Sequence, residues 1–172
     1  MIHILVDGYN LMHALDSRLI KTLEEKRQDL IERLSAYQSK KGMEITVVFD
    51  GAQGNIFASR DRYQRVTIVF TLPPQSADDW IIRECRENPG QYLVVSNDQE
   101  IVRAAETNGC MSLSNEHFLG KMEMAKAYDD FASDEKTEDG SPLYPKISTK
   151  KKGVAKKASK KERRKLSRLK NL

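Results

Sequence analysis

Acidic side chains in this chain stand where apolar segments end and where a helical segment begins. Asp7, Asp50 and Asp98 follow apolar segments, and Asp78 lies at the start of the helical segment after the third of the predicted strands. Carboxylate oxygens are the ligands that Mg²⁺ and Mn²⁺ prefer, and no Cys or His cluster accompanies these acids to indicate zinc. Since like charges repel, bringing the acids together requires a cation to offset the repulsion. The pattern therefore favours a Mg²⁺ or Mn²⁺ site over a zinc site among Asp7, Asp50, Asp78 and Asp98.

Each of these acids also has a structural interpretation. An Asp that follows a strand is commonly a turn former or a helix cap, and Asp50 and Asp98 both fit that role. Asp79 stands beside Asp78 at the start of a helical segment, where negative charge is favoured by the helix dipole. Both interpretations of each acid stay open at the level of sequence.

The segment around Asp7 reads DGYN, and its small and polar residues suit a site. Asn10 can orient Asp7 or a metal-bound water. Gly8 permits a sharp turn and leaves space above the site. Tyr9 is either a core residue or part of the site, and the sequence does not decide between them.

Short apolar runs alternate with helical patterns along the first three quarters of the chain. The predicted strands are residues 2–6, 44–49, 66–70, 92–95 and 110–113. The predicted helices are 22–40, the segment after Ser76, 99–108 and 116–131. This alternation indicates a three-layer α/β/α fold around a mainly parallel sheet. Because the carboxyl ends of parallel strands share an edge, the acids should converge there.

The charge of the chain is unevenly distributed. Residues 146–172 hold 13 of the 29 basic residues and one of the 25 acidic residues, which gives +12 there and −8 in residues 1–145. We therefore expect a domain over 1–131, an acidic linker over 132–145 and a basic tail over 146–172, disordered when alone. Such a tail indicates a polyanionic partner, with nucleic acid first.

Basic and aromatic residues offer candidate contacts to that partner. Phosphates can be bound by arginines on a predicted loop before the third strand, where a tyrosine can stack on a base. The alternative is a solvated connection. The candidates are Arg60, Arg62, Tyr63 and Arg65 on this loop, and Lys150, Lys151, Lys152, Arg163 and Arg164 in the tail.

The segments LVDGYNLM, VVFDG, SADDWI and VVSNDQEIV together resemble the NYN-domain branch of the PIN-like ribonucleases, and more narrowly its YacP-like bacterial group. The resemblance spans roughly residues 1–130. It implies catalytic residues at Asp7, Asn10, Asp78 and Asp98, Mg²⁺ or Mn²⁺ as the cofactor, and hydrolysis of RNA phosphodiester bonds. Asp50 matches the place of a further acid in that family.

The resulting hypothesis is a cytoplasmic, metal-dependent endoribonuclease that acts on RNA, with mRNA on the ribosome as one candidate substrate. The alternative is a non-catalytic RNA- or ribosome-binding module on a nuclease-like fold. No run of about 18 apolar residues indicates a membrane span. An aspartyl phosphatase is disfavoured because Tyr9 stands where a second Asp is needed. Cys85 and Cys110 are expected to be buried thiols in a reducing compartment.

Overall fold

A computed structural model gives the fold and describes residues 2–15, 22–51 and 59–134. The strands in these ranges are β1 (His3–Asp7), β2 (Glu44–Asp50), β3 (Ser59–Tyr63), β4 (Val66–Thr71), β5 (Tyr92–Val95) and β6 (Met111–Leu113). The helices are α1 (Gly8–Ala14), α2 (Leu23–Lys41), α3 (Ala77–Glu87), α4 (Gln99–Thr107) and α5 (Asn115–Asp134). The chain divides into two units, Met1–Lys126 and Ala127–Leu172, and all of these strands belong to the first unit.

The six strands form one sheet in the order β3-β4-β2-β1-β5-β6. All neighbouring strands pair in parallel except β3, which runs antiparallel along β4. β1 lies in the middle of the sheet, and Ile4, Leu5 and Val6 are fully or almost fully buried. Burial on both faces explains why this strand is a continuous apolar run instead of an alternating one. The predicted α/β class with a mainly parallel sheet is confirmed.

Successive side chains of a strand point to opposite faces of the sheet, so both faces carry apolar side chains. A layer of helices covers each face. Leu5, Val48 and Val94 pack with Ile81 of α3 and Ile101 of α4 in one core cluster. α1 and α2 form a second layer, in which both helices contact β2. The carboxyl ends of the central strands lie at one edge of the sheet, between the two helical layers.

Capping side chains set the bounds of α2. The Thr22 hydroxyl accepts from the Glu25 backbone N–H, and the Glu25 carboxylate accepts from the Thr22 backbone N–H. This reciprocal capping box begins the helix, and Gly42 ends it in the left-handed conformation at φ 62°. The predicted helix over 22–40 is confirmed with a shift of one residue at each end.

One element of the prediction was wrong. Residues 59–63 were expected to lie on a loop, whereas they form β3 on the outer side of β4. The charged side chains of this segment do not match the apolar pattern expected of a buried strand. A strand at the edge of a sheet tolerates charges that a central strand does not. The predicted tail over 146–172, and the linker over 132–145 beyond Asp134, lie outside the described residues. Within the described ranges, no helix is long and apolar enough to span a membrane.

Candidate active site at the carboxyl ends of the strands

The strand order brings the predicted acids to one edge of the sheet. Asp7 is the last residue of β1 and Asp50 is the last residue of the neighbouring β2. Asp98 follows β5, the other neighbour of β1, and Asp78 lies in the first turn of α3. Residues separated by up to 91 positions in the sequence are therefore neighbours at this edge.

Asp7 is the most buried of these acids, with only 7% of its surface exposed. Its Oδ1 accepts a hydrogen bond from the Asn10 backbone N–H at 3.1 Å, and its Oδ2 accepts one from the Ser96 hydroxyl at 3.2 Å. Burial raises the pKa of Asp7 to about 6 despite these bonds, and the charges of Asp78 and Asp50 add to the rise. The fold thus holds a carboxylate where ionisation is unfavourable.

Asp78 shows the same electrostatic strain in a more exposed position. Partial desolvation raises its pKa, and the charges of Asp98, Asp50, Glu100 and Asp79 raise it further. These couplings join Asp78 to the carboxylates that follow β2 and β5. The carboxylates at this edge thus create a negative electrostatic potential, which would stabilise a bound cation.

The structure separates the adjacent acids Asp78 and Asp79. The Asp79 carboxylate accepts from the Ser76 backbone N–H at 3.2 Å, while the Ser76 hydroxyl accepts from the Asp79 N–H at 3.0 Å. This is a capping box, so the Asp79 side chain serves the start of α3. Asp78 has no such bond among the described residues, and its carboxylate is available to a ligand.

Asp50 and Asp98 each combine a structural contact with their place at the edge. Asp50 Oδ1 accepts from the Ala77 backbone N–H at 2.6 Å, which ties the end of β2 to the start of α3. Asp98 Oδ1 accepts from the backbone N–H groups of Glu100 and Ile101 at 2.7 and 3.3 Å, and so caps α4. The capping interpretation holds for both acids, and a carboxylate has further lone pairs for a cation.

Three asparagines connect the segments at this edge by hydrogen bonds. Asn10 Oδ1 accepts from the Asn97 backbone N–H at 2.9 Å and from Asn115 Nδ2 at 2.6 Å. Asn97 Oδ1 accepts from the Asn115 backbone N–H at 3.0 Å. The Asn10 side chain therefore joins the start of α1 to α5, and the group that contacts Asp7 is the Asn10 backbone N–H.

Asn115 was missed by the sequence reasoning, although only 1% of its surface is exposed. It lies at the first position of α5, and one residue separates it from the end of β6. The available signal was a polar residue just beyond the last short strand. That signal was weak because an asparagine at a helix start is common for purely local reasons.

Gly8 and Tyr9 both pack against β2. A Cβ on Gly8 would overlap the Phe49 ring and would lie 2.8 Å from the Val48 carbonyl oxygen. Close packing, instead of clearance above the site, is therefore the reason for glycine here. Tyr9 stacks edge-on against Phe49 with ring centroids 5.3 Å apart, which favours its interpretation as a packing residue.

The predicted arginine cluster is not at the acidic edge. β3 runs antiparallel to β4, so Tyr63 pairs with Val66 at the amino end of β4, whereas the acids lie beyond its carboxyl end. Arg62 and Arg65 are exposed near this opposite edge, and a strand of six residues spans about 20 Å. Arg60 pairs with Val69, nearer the acids, but its side chain lies outside the described part of the chain, as do the tail residues Lys150, Lys151, Lys152, Arg163 and Arg164.

Within the described residues, no three Asp, Glu, His or Cys side chains are grouped closely enough to ligate one metal ion. Mg²⁺ nevertheless keeps several waters and commonly uses only one or two protein carboxylates. Asp7 and Asp78 are coupled through the charge that Asp78 exerts on Asp7. A hydrated Mg²⁺ or Mn²⁺ at this pair fits both the donor chemistry and the excess negative charge.

Comparison with known proteins decides the family. A model of the YacP-like NYN domain matches residues 4–171. The chain belongs to the YacP-like NYN family. This family has a nuclease-like fold associated with RNA, and NYN and PIN-like nuclease domains generally depend on a divalent metal. The match continues beyond the expected residues 1–130 into the basic tail.

Similar proteins come from Bacillus subtilis. The chain is 35% identical over 81 residues to a protein of strain 168 named "Uncharacterized protein YacP", and the alignment covers 45% of this chain and 48% of that relative. The crystal structure of Rae1 (YacP) from Bacillus subtilis is similar with a TM-score of 0.63 and 25% identity, covering 78% and 80% of the two chains. A crystal structure of a mutant of the same Bacillus protein gives the same TM-score at 27% identity, covering 79% and 87%. The YacP-like assignment thus agrees in sequence and in fold.

Proposed function

We propose that this protein is a cytoplasmic endoribonuclease that uses Mg²⁺ or Mn²⁺ to hydrolyse phosphodiester bonds in RNA. The observation that carries the proposal is the buried Asp7, whose pKa is raised to about 6 beside the charges of Asp78 and Asp50. If Asp7 served only as a helix cap, the acids Asp78 and Asp50 beside it would add repulsion without stabilising the fold. Membership of a nuclease-like family supports the same conclusion.

The residues of the edge have distinct tasks in this proposal. Asp7 is fixed by the Ser96 hydroxyl and the Asn10 N–H, so its carboxylate is presented in one orientation. Asp78 offers a second carboxylate, and Asp98 adds its negative charge beside Asp78. A divalent ion bound there supplies Lewis-acid activation of water and offsets charge on the phosphate. Without it, the acidic edge would repel RNA.

The test is incubation of purified protein with RNA in Mn²⁺, in Mg²⁺ and in EDTA, with and without ribosomes. We expect Asp7→Asn and Asp78→Asn each to lower cleavage by about 100-fold or more, since each removes charge that acts at the reacting phosphate. Asp79→Asn is the matched control, because its carboxylate caps α3. The nuclease proposal is refuted if wild type and Asp7→Asn leave identical RNA under every condition.

The comparison of reactions with and without ribosomes distinguishes free RNA from ribosome-bound mRNA as the substrate. Cleavage of free RNA at the same sites as ribosome-bound mRNA would refute a need for the ribosome. RNA binding that survives Asp7→Asn while the wild type cleaves nothing would instead support a non-catalytic binding module. The first outcome decides the substrate, and the second decides between an enzyme and a binding module.

The basic tail is proposed as a sequence-independent contact to RNA or the ribosome. Its +12 charge over residues 146–172 would release counterions from a polyanion, so binding should fall with added salt. Deleting residues 146–172 should weaken RNA and ribosome association, most strongly at low salt. Unchanged binding at low salt would contradict this role.

A further inference from the structure

A second concave feature lies beside the acidic edge. This cavity, which we call the serine-glutamate pocket, has a volume of about 320 Å³ and is lined by residues that follow β5, end β6 and begin α4 and α5. Ser96 lines it and also donates to Asp7 Oδ2 at 3.2 Å. The pocket and the buried carboxylate therefore share one residue, which places the pocket beside Asp7.

The chemistry of the lining disfavours a phosphate as the occupant. The Ser112 hydroxyl donates to Glu106 Oε1 at 2.8 Å, and the Ser114 hydroxyl contacts His117 Nδ1 at 2.9 Å. The polar residues of the lining are Ser96, Asn97, Gln99, Ser112, Ser114 and Glu116. Among the described residues that line the pocket there is no Lys, Arg or His. A negative ligand would meet the Glu116 carboxylate with no Lys or Arg among the described lining residues, whereas a neutral group with hydrogen-bond donors and acceptors would find partners.

The size and the apolar part of the lining favour a flat ring. Val102 and Leu113 add side-chain carbons to the polar wall, and a volume of this order lies at the small end of ligand sites, about 300–1,000 Å³. Single-stranded RNA is recognised in this way, by bases turned out of the stack and hydrogen-bonded on their edges. A nucleobase next to the phosphate at Asp7 satisfies both requirements.

Glu116 is the group in the pocket that can discriminate between bases. Its Oε1 accepts from Asn97 Nδ2 at 2.9 Å, and Asn97 is itself held by the Asn115 backbone N–H. Its own backbone N–H and the Asn97 amide lower the pKa of Glu116, so at neutral pH it only accepts hydrogen bonds. Adenine, cytosine and guanine carry an exocyclic amino donor. Uracil offers only its ring N3–H, which lies between two carbonyl oxygens that would face the carboxylate.

We propose that the serine-glutamate pocket receives one base of the RNA strand beside the cleaved phosphate, and that Glu116 selects bases with an exocyclic amino group over uracil. This inference rests on the proposed nuclease function and adds the specificity of that same site. Glu116 is in this view a specificity-determining residue, and the acids at the strand ends perform the hydrolysis.

The first test maps cleavage sites in an RNA pool of random sequence. With wild-type protein, uridine should be depleted about 10-fold at one fixed position relative to the cut, as expected for one base-specific contact. Glu116→Gln should remove this depletion, because a glutamine amide can donate to a uracil carbonyl. Glu123→Gln, which changes an exposed acid two turns further along α5, should leave it unchanged. Identical profiles for wild type and Glu116→Gln would overturn the inference.

The second test uses binding and does not depend on cleavage. Short oligocytidylate and oligouridylate are titrated into Asp7→Asn and into the double variant Asp7→Asn/Glu116→Gln, with fluorescence anisotropy as the readout. The single variant should bind oligocytidylate about 10-fold more tightly, and the double variant should bind both equally. Equal affinity of the single variant for both would refute base selection. Absence of cleavage by wild type alongside this preference would refute only the nuclease proposal.

Discussion

The substitution Asp7→Asn should stabilise the folded protein at neutral pH while it removes the proposed activity. In the fold, burial raises the pKa of Asp7 from 3.8 to about 6. Between these values the unfolded chain has released the proton and the folded chain still holds it. The unfolded state therefore binds fewer protons, and stability falls as the pH rises through this window.

The expected magnitude follows from the size of the shift. One pKa unit corresponds to about 1.36 kcal/mol, so ionising Asp7 lowers the free energy of unfolding by about 3 kcal/mol above pH 6. Asparagine has nearly the same shape and no charge. Its Oδ1 can keep the bond from the Asn10 N–H, and its Nδ2 can donate to the Ser96 hydroxyl. The gain at pH 7.5 should therefore approach 3 kcal/mol, or about 10 °C in the melting temperature of a domain of this size.

The assay is urea unfolding at intervals between pH 4 and pH 8, followed by the fluorescence of Trp80. This residue is the single tryptophan of the chain and packs against the core cluster. The stability difference between Asp7→Asn and wild type should be small near pH 4 and grow until about pH 6. Glu87→Gln is the control, because Glu87 is an exposed acid whose partner Arg83 lies 4.0 Å away. Exposed pairs of this kind contribute at most about 1 kcal/mol.

A divalent ion provides an independent check of the same reasoning. Bound at Asp7, Mg²⁺ would favour the ionised carboxylate and stabilise wild type by about 1.4 kcal/mol at ten times its dissociation constant. Asp7→Asn should gain much less. A stability difference that does not change between pH 4 and pH 8 would refute the assignment of Asp7 as a destabilised carboxylate. Equal stabilisation of both proteins by Mg²⁺ would refute metal binding at this residue.

Two further predictions concern packing. In urea titration, Gly8→Ala should lower the free energy of unfolding by about 1–3 kcal/mol, because the new methyl group would overlap the Phe49 ring. Gly120→Ala in α5 is the control, because a Cβ there meets nothing within 4 Å, and it should be neutral or stabilising in the same titration. Cys85 and Cys110 should resist alkylation at pH 8 until urea unfolds the protein, since both are buried and desolvation raises the pKa of Cys85 to about 12. Rapid labelling of either thiol in folded protein, detected by mass spectrometry, would contradict their burial.

The sequence by itself determined the elements and the acids that follow them. The alternation of apolar runs with helical patterns predicted the parallel strands, and the helix over 22–40 was found with its expected glycine end. Such features follow from short windows, because side-chain periodicity and capping involve residues at most a few positions apart. The expectation that the acids meet required only that these strands be parallel.

Tertiary structure alone decided how the edge is assembled. The bond from Ser96 to Asp7 joins residues 89 positions apart, and those from Asn115 to Asn10 join residues 105 apart. No local pattern encodes such pairs, since they depend on β1 lying between β2 and β5. The same holds for the tight packing of Gly8 against a neighbouring strand.

Strand direction was the other property that only the fold fixed. The sequence showed arginines around Tyr63 but could not show that Arg60 and Arg62 belong to an antiparallel edge strand and that Arg65 lies in the turn after it. Direction decides to which end of the sheet a residue is carried, and here it takes Tyr63 and Arg65 away from the acids. For this segment, contacts with β4 and not local propensity specify both that it is extended and where it points.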